Sequence, residues 1–151
     1  MSANDLPGGW IYVMLTSQDY TRSKIGRTSG NPLIRFRKLR TSDPFLGLVV
    51  AYYIPNSFGP ASSFEAAIHA EFQDIRIYNH DEGKTEWFGI DYSRAEMLID
   101  GMLEDWCNQK VQYFSDLCPD KLCKLYESDI QACFEPEPYD IEFAKQLLDG
   151  P

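Results

Sequence analysis

Residues 10–16 read WIYVMLT and, after a polar stretch at 17–23, residues 24–28 read KIGRT. The first run is apolar and rich in aromatic and β-branched side chains, which suit a pleated, buried surface. The second is short and bounded by polar residues, so the two predict a β-hairpin. Ser29-Gly30-Asn31-Pro32 follows. It supplies a turn, an N-cap in Asn31 and a proline where a helix has no use for an N–H, and so predicts a helix to about Thr41 with Leu33, Phe36 and Leu39 facing a core.

Further along, residues 46–54 (LGLVVAYYI) are the strongest strand candidate, apolar enough for the centre of a sheet. Residues 61–72 place Phe64, Ile68 and Phe72 at four-residue steps, the stripe of a packed helix, with Glu65 and His69 one turn apart beside it. Short strands are expected at 76–78 and 85–90 around the polar loop 79–84. The order predicts a small mixed α+β domain over residues 1–91, with a mainly antiparallel sheet and flanking helices. Residues 92–151 are expected to form an acidic helical extension packed on it. In that extension Ser93 would cap a helix carrying Ala95, Ile99, Leu103 and Trp106 on one face. Further helices are expected at 112–127 and 141–148, on either side of Glu135-Pro136-Glu137-Pro138.

Composition narrows the function. With 151 residues and 44% hydrophobic content the chain can bury one good core. No apolar run approaches the roughly 20 residues that span a bilayer, and no basic segment precedes an apolar one at the N-terminus, so a cytoplasmic protein without membrane contact is expected. Net charge is −9, unfavourable for a uniform nucleic-acid-binding surface. The charge is uneven, however: residues 1–80 carry eight Lys/Arg against six Asp/Glu, and residues 81–151 carry six against seventeen. Cys107, Cys118, Cys123 and Cys133 match neither zinc-knuckle nor disulfide spacing and read as free thiols.

The N-terminal part also holds the groups that phosphodiester hydrolysis requires: something to position water, cations for the phosphate and a carboxylate for a metal. The motifs resemble those of the GIY-YIG nuclease superfamily, in particular the branch typified by a phage T5 open reading frame and meiotically up-regulated yeast proteins, where KIG replaces YIG. The fragments are Trp10-Ile11-Tyr12 after Gly9, Lys24-Ile25-Gly26-Arg27-Thr28, Asn31-Pro32 with Arg35-Phe36-x-x-Leu39, Glu65-x-x-x-His69-x-x-Phe72, and Glu86-Trp87-Phe88. They fall in order over residues 9–90, on the expected strands and helices.

The resemblance implies a metal-dependent endonuclease acting on nucleic acid, DNA above all. Tyr12 would contact the attacking water or act as its base, with nearby cations helping to lower its pKa from about 10. Arg35 would contact the phosphate and Glu65 would hold Mg2+ or Mn2+. Lys24 stands where the second motif tyrosine would be and could donate to phosphate. Leu39 occupies the superfamily's histidine position. His69 is open between ligand, proton-transfer partner and packing residue. Arg27, Arg37, Lys38 and Arg40 would position a phosphate backbone, or simply form a solvated face. Glu86-Trp87-Phe88 reads as structural, with Glu86 toward the cleft. The competing expectation is a catalytically weak module of the same fold, whose acidic C-terminal helices bind a protein partner or restrain the cleft. A third is an acidic mimic of nucleic acid.

Overall fold

The structure is a computed structural model that describes residues 3–81, 83–113 and 118–134. The expected hairpin forms: β1 (Gly9–Thr16) and β2 (Asp19–Thr28) pair antiparallel, and β3 (Leu46–Ile54) lies antiparallel on the other edge of β1. Ile11 and Val13 point into one core and Trp10, Tyr12 and Met14 into a second. A strand covered on both faces can be apolar at every position, which is why residues 10–16 show no alternation.

With β4 (Arg76–Tyr78), β5 (Lys84–Phe88), β6 (Gln112–Tyr113) and β7 (Cys123–Tyr126), the sheet has seven strands in the order β4-β5-β2-β1-β3-β7-β6. All neighbours are antiparallel except β6 and β7. Helices α2 (Ala61–Glu71) and α3 (Tyr92–Cys107) cover the Ile11 face. The Tyr12 face is covered by α1 (Pro32–Arg40) and α4 (Glu127–Phe134). The fold is the α+β arrangement expected from the sequence.

Helix α1 starts as its sequence predicts, with the Asn31 side chain accepting from the N–H groups of Leu33 at 2.8 Å and Ile34 at 3.4 Å. Helix α3 starts two residues earlier than expected. Asp91, not Ser93, is the cap, its carboxylate accepting from Arg94 N–H at 2.9 Å. The apolar face of α3 is Ala95, Ile99, Leu103 and Cys107. Trp106 is 41% exposed and instead leans on Phe64, with ring centroids 6.2 Å apart.

The expected helix at 112–127 is corrected to strand at both ends, β6 and β7. Pro119 breaks any helical run through this segment, because it lacks an N–H and clashes with the preceding turn. Strand β7 then covers the open edge of β3 over Val50↔Tyr126 to Tyr53↔Cys123. Its Lys124 side chain is 5% exposed and reaches Glu96 at 2.7 Å and Asp100 at 2.6 Å on α3. Tyr52 donates to Asp100 at 2.6 Å, and Tyr126 donates to Glu96. The helix expected at 141–148 and the break at 135–138 lie outside the described residues.

All four cysteines are free thiols, with Cys107 and Cys123 buried. Burial pushes the Cys123 thiol up to about 12, so it stays protonated and is a poor nucleophile. Among the described residues no helix is long and apolar enough to cross a membrane.

Candidate active site

Tyr12 lies mid-strand in β1, directly opposite Gly26 of β2. The pairing explains the glycine. A Cβ on residue 26 would stand 2.5 Å from Tyr12 Cζ and 2.7 Å from Glu86 Oε2, and would overlap the Tyr12 hydroxyl. With no side chain there, the hydroxyl extends across β2 and donates to Glu86 Oε2 at 3.3 Å. Lys24, the neighbour of Gly26 on the same face, has its Nζ 4.0 Å from the same oxygen and 5.7 Å from the Trp87 ring centre. Arg35, exposed on α1, lies close enough to favour the ionised form of the Tyr12 hydroxyl.

Tyr12 has no exposed surface. Burial raises its hydroxyl well above the usual tyrosine range, and the Glu86 carboxylate adds to this, while Arg35 opposes it. Arg35 acts in the expected direction, but the expected net lowering of the Tyr12 pKa is corrected to a rise. Desolvation of a phenolate and one adjacent carboxylate outweigh one guanidinium.

A second set of groups approaches from α2. The β2–β5 ladder has two rungs, Ser23↔Phe88 and Lys24↔Trp87, and β5 then leaves β2. His69 occupies the gap, its Nε2 2.8 Å from the Ile25 carbonyl, while Arg76 Nη2 lies 2.7 Å from Nδ1. A guanidinium can only donate, so Nδ1 must accept and the proton sits on Nε2. Both ring nitrogens of His69 are thus engaged, and the residue fixes α2 against the sheet. One turn earlier on α2, Glu65 faces Arg27, with Oε1 3.6 Å from Nε. Burial raises the Glu65 carboxyl above its ordinary value; Glu86 adds to the effect, and His69, Arg27 and Arg76 oppose it.

Glu86 therefore borders both sets, bonded to Tyr12 on one side and felt by Glu65 on the other. The sequence places it toward the cleft within an otherwise structural E-W-F, without a role in the chemistry. The available signal was its strand position: Glu86 lies two residues before the fully buried Phe88, where an apolar residue would continue the core face. Arg76 carried no motif at all.

Of the remaining basic residues, Lys38 shares a small groove with Arg35, Thr28 and Asn31. Arg40 turns back over the Phe36 ring, 5.7 Å from its centre, and Arg37 lies exposed in the last turn of α1. A second groove, lined by Gly8, Gly9, Arg27, Ser29 and Ser62, also includes Thr28 in its wall. A cavity of about 700 Å³ lies elsewhere, between Tyr20 and Thr21, the end of α2 and Leu98 and Met102 of α3, and none of Tyr12, Lys24, Arg35, Glu65, His69 and Glu86 lines it. Among the described residues no group of three or more His, Cys, Asp or Glu side chains is arranged to enclose a metal ion.

No curated protein and no solved structure matches the chain. The T5orf172 domain matches residues 9–107, a span that contains every motif described above and runs through α3. With about two thirds of its length matched, the chain belongs to the T5orf172 domain family.

Proposed function

We propose that this protein is a metal-dependent nuclease that hydrolyses phosphodiester bonds in DNA, and that its KIG motif puts it in the branch of the GIY-YIG superfamily where Lys24 replaces the second tyrosine. The observation that carries the reading is the convergence of Tyr12, Lys24, Arg35 and Glu86 around Gly26, with Glu65 close enough to sense Glu86. Tyr12, Lys24, Arg35 and Glu86 come from four separate segments of the chain.

Arg35 would grip phosphate oxygens with paired donors. Lys38 and Arg27, in two grooves that share Thr28, would position the flanking backbone without reading sequence. A divalent ion suits the donor set. Glu65 is a half-buried carboxylate made costly to ionise by burial and by Glu86, and a cation relieves that cost. The donors are oxygens, and both His69 nitrogens are taken, which favours Mg2+ or Mn2+ held by few protein ligands over zinc. Bound there, the ion would supply charge neutralisation as the phosphate becomes more negative.

A second reading is favoured by the complete burial of Tyr12: a weakly active module that binds nucleic acid without cutting it efficiently. Both are tested by one experiment. Purified wild type, Tyr12→Phe and Glu65→Ala are incubated with labelled DNA and Mg2+ or Mn2+, and binding is measured in parallel. Metal-dependent cleavage reduced at least 100-fold in Glu65→Ala supports the nuclease. Binding without cleavage by the wild type supports the module. Equal cleavage by all three proteins would assign the activity to a contaminant.

A further inference from the structure

We propose that Glu86, and not Tyr12, is the general base that takes the proton from the attacking water, with Tyr12 holding its carboxylate in place. This rests on the nuclease reading above. Tyr12 is badly suited to accept a proton. Its hydroxyl is enclosed, it is the donor in its bond to Glu86 Oε2, and losing its proton would create a phenolate in a desolvated position beside a carboxylate. Glu86 has the complementary properties. Its side chain is 38% exposed, so water can reach it.

Both described contacts of Glu86, with Tyr12 and Lys24, fall on Oε2, and among the described residues Oε1 has no partner. The carboxylate is thus anchored by one oxygen and open at the other. A base needs a fixed position within hydrogen-bond reach of the water it activates, and a donor tyrosine on the far oxygen supplies that constraint. Gly26 makes the arrangement possible, since any side chain there would displace both the hydroxyl and the carboxylate.

The step balances simply. As one water O–H breaks, its proton passes to Glu86 Oε1 and the water oxygen forms the new bond to phosphorus. The bond from phosphorus to the leaving oxygen breaks, its electron pair stays on that oxygen, and solvent protonates it. Glu86 then returns its proton to solvent through its exposed side.

The test compares single-turnover DNA cleavage by wild type, Glu86→Gln, Glu86→Ala and Tyr12→Phe in Mn2+, together with Mn2+ affinity, DNA affinity and thermal unfolding of each. Glu86→Gln keeps a carbonyl acceptor for Tyr12 but cannot take up a proton. It is expected to fold, to bind Mn2+ and DNA as the wild type does, and to cleave about 10²- to 10⁴-fold more slowly, the usual contribution of a positioned base. Glu86→Ala is expected to regain rate as formate or acetate is added, a response that a merely structural residue does not give. Tyr12→Phe is expected to lose rate without any such rescue.

Cleavage by Glu86→Gln within threefold of wild type overturns the assignment while leaving the nuclease intact. So does a tenfold loss of Mn2+ affinity in that variant, which would make Glu86 a metal ligand. Rescue absent in Glu86→Ala also overturns it. If the wild type itself does not cleave, the nuclease reading fails and this assignment falls with it.

Discussion

Two clusters in this protein use nearly the same side chains to different ends. On the β3–β7 side of the sheet, Lys124 meets Glu96 and Asp100 at 2.7 and 2.6 Å, Tyr52 donates to the other Asp100 oxygen, and Tyr126 donates to the Glu96 oxygen that Lys124 already holds. On the β2–β5 side, Lys24 stands 4.0 Å from Glu86 and Tyr12 donates to it at 3.3 Å, a long distance for a hydroxyl donor. The first cluster is short and largely buried, with one lysine held between two carboxylates. The second is loose, half-open and short of partners. A tight, buried network holds elements together, because each charge has been desolvated against a good partner. A loose, half-exposed one leaves groups free to meet a substrate.

The strongest way to break this contrast is to remove each lysine. Lys124→Met strands two carboxylates against α3 and is expected to cost about 3 kcal/mol in urea unfolding, toward the low end for a broken buried pair because Asp100 remains 27% exposed. Lys24→Met removes a loose ion pair and is expected to cost under about 1 kcal/mol while lowering cleavage per folded molecule. A larger stability loss at Lys24 than at Lys124 would reverse the assignment of the two clusters.

Glycines sharpen the comparison. Gly26→Ala forces a Cβ into Tyr12 and Glu86 and is expected to cost about 1–3 kcal/mol as overpacking, with loss of cleavage. Gly101→Ala, in α3 where a Cβ meets nothing within 4 Å, is expected to gain about 0.5–1 kcal/mol from helix propensity alone. Denaturation midpoints of the two variants, read beside their activities, check both signs.

The smallest effect concerns Glu65. Its folded carboxyl is raised above the unfolded value, so protonated Glu65 favours the fold below the unfolded pKa of about 4.3, and that contribution is lost as pH rises through the folded value. Glu65→Gln is therefore expected to stabilise the protein near neutral pH, by no more than about 0.5 kcal/mol, with no gain in acid. Unfolding curves across that range would show the crossover. A variant less stable than wild type at neutral pH would mean that the Arg27 contact outweighs the burial cost.

Much of the fold was legible because local rules carried it. The apolar run at β1, the Asn31-Pro32 start of α1, the full extent of β3 and the stripe of α2 all appear where propensity, capping and periodicity place them. The failures came where local rules competed. Ser93 and Asp91 both suit a cap, and the earlier residue took the role. Residues 112–127 carry helix-forming side chains, yet Pro119 and the open edge of β3 made strands of their ends. Trp106 has the right phase on α3 but lies on Phe64 at the surface.

By itself, then, the sequence determined which segments become strands and helices and which motif residues they carry, since turns, caps and apolar spacing act over a few residues. Only the tertiary structure decided what those residues meet. Glu86 comes to Tyr12 across a glycine 60 positions away, His69 gives its N–H to a carbonyl that β5 has left behind, and Lys124 rather than Lys24 receives the tight carboxylates. Such pairings depend on strand register and on where a ladder ends, and both are set by packing across the whole sheet.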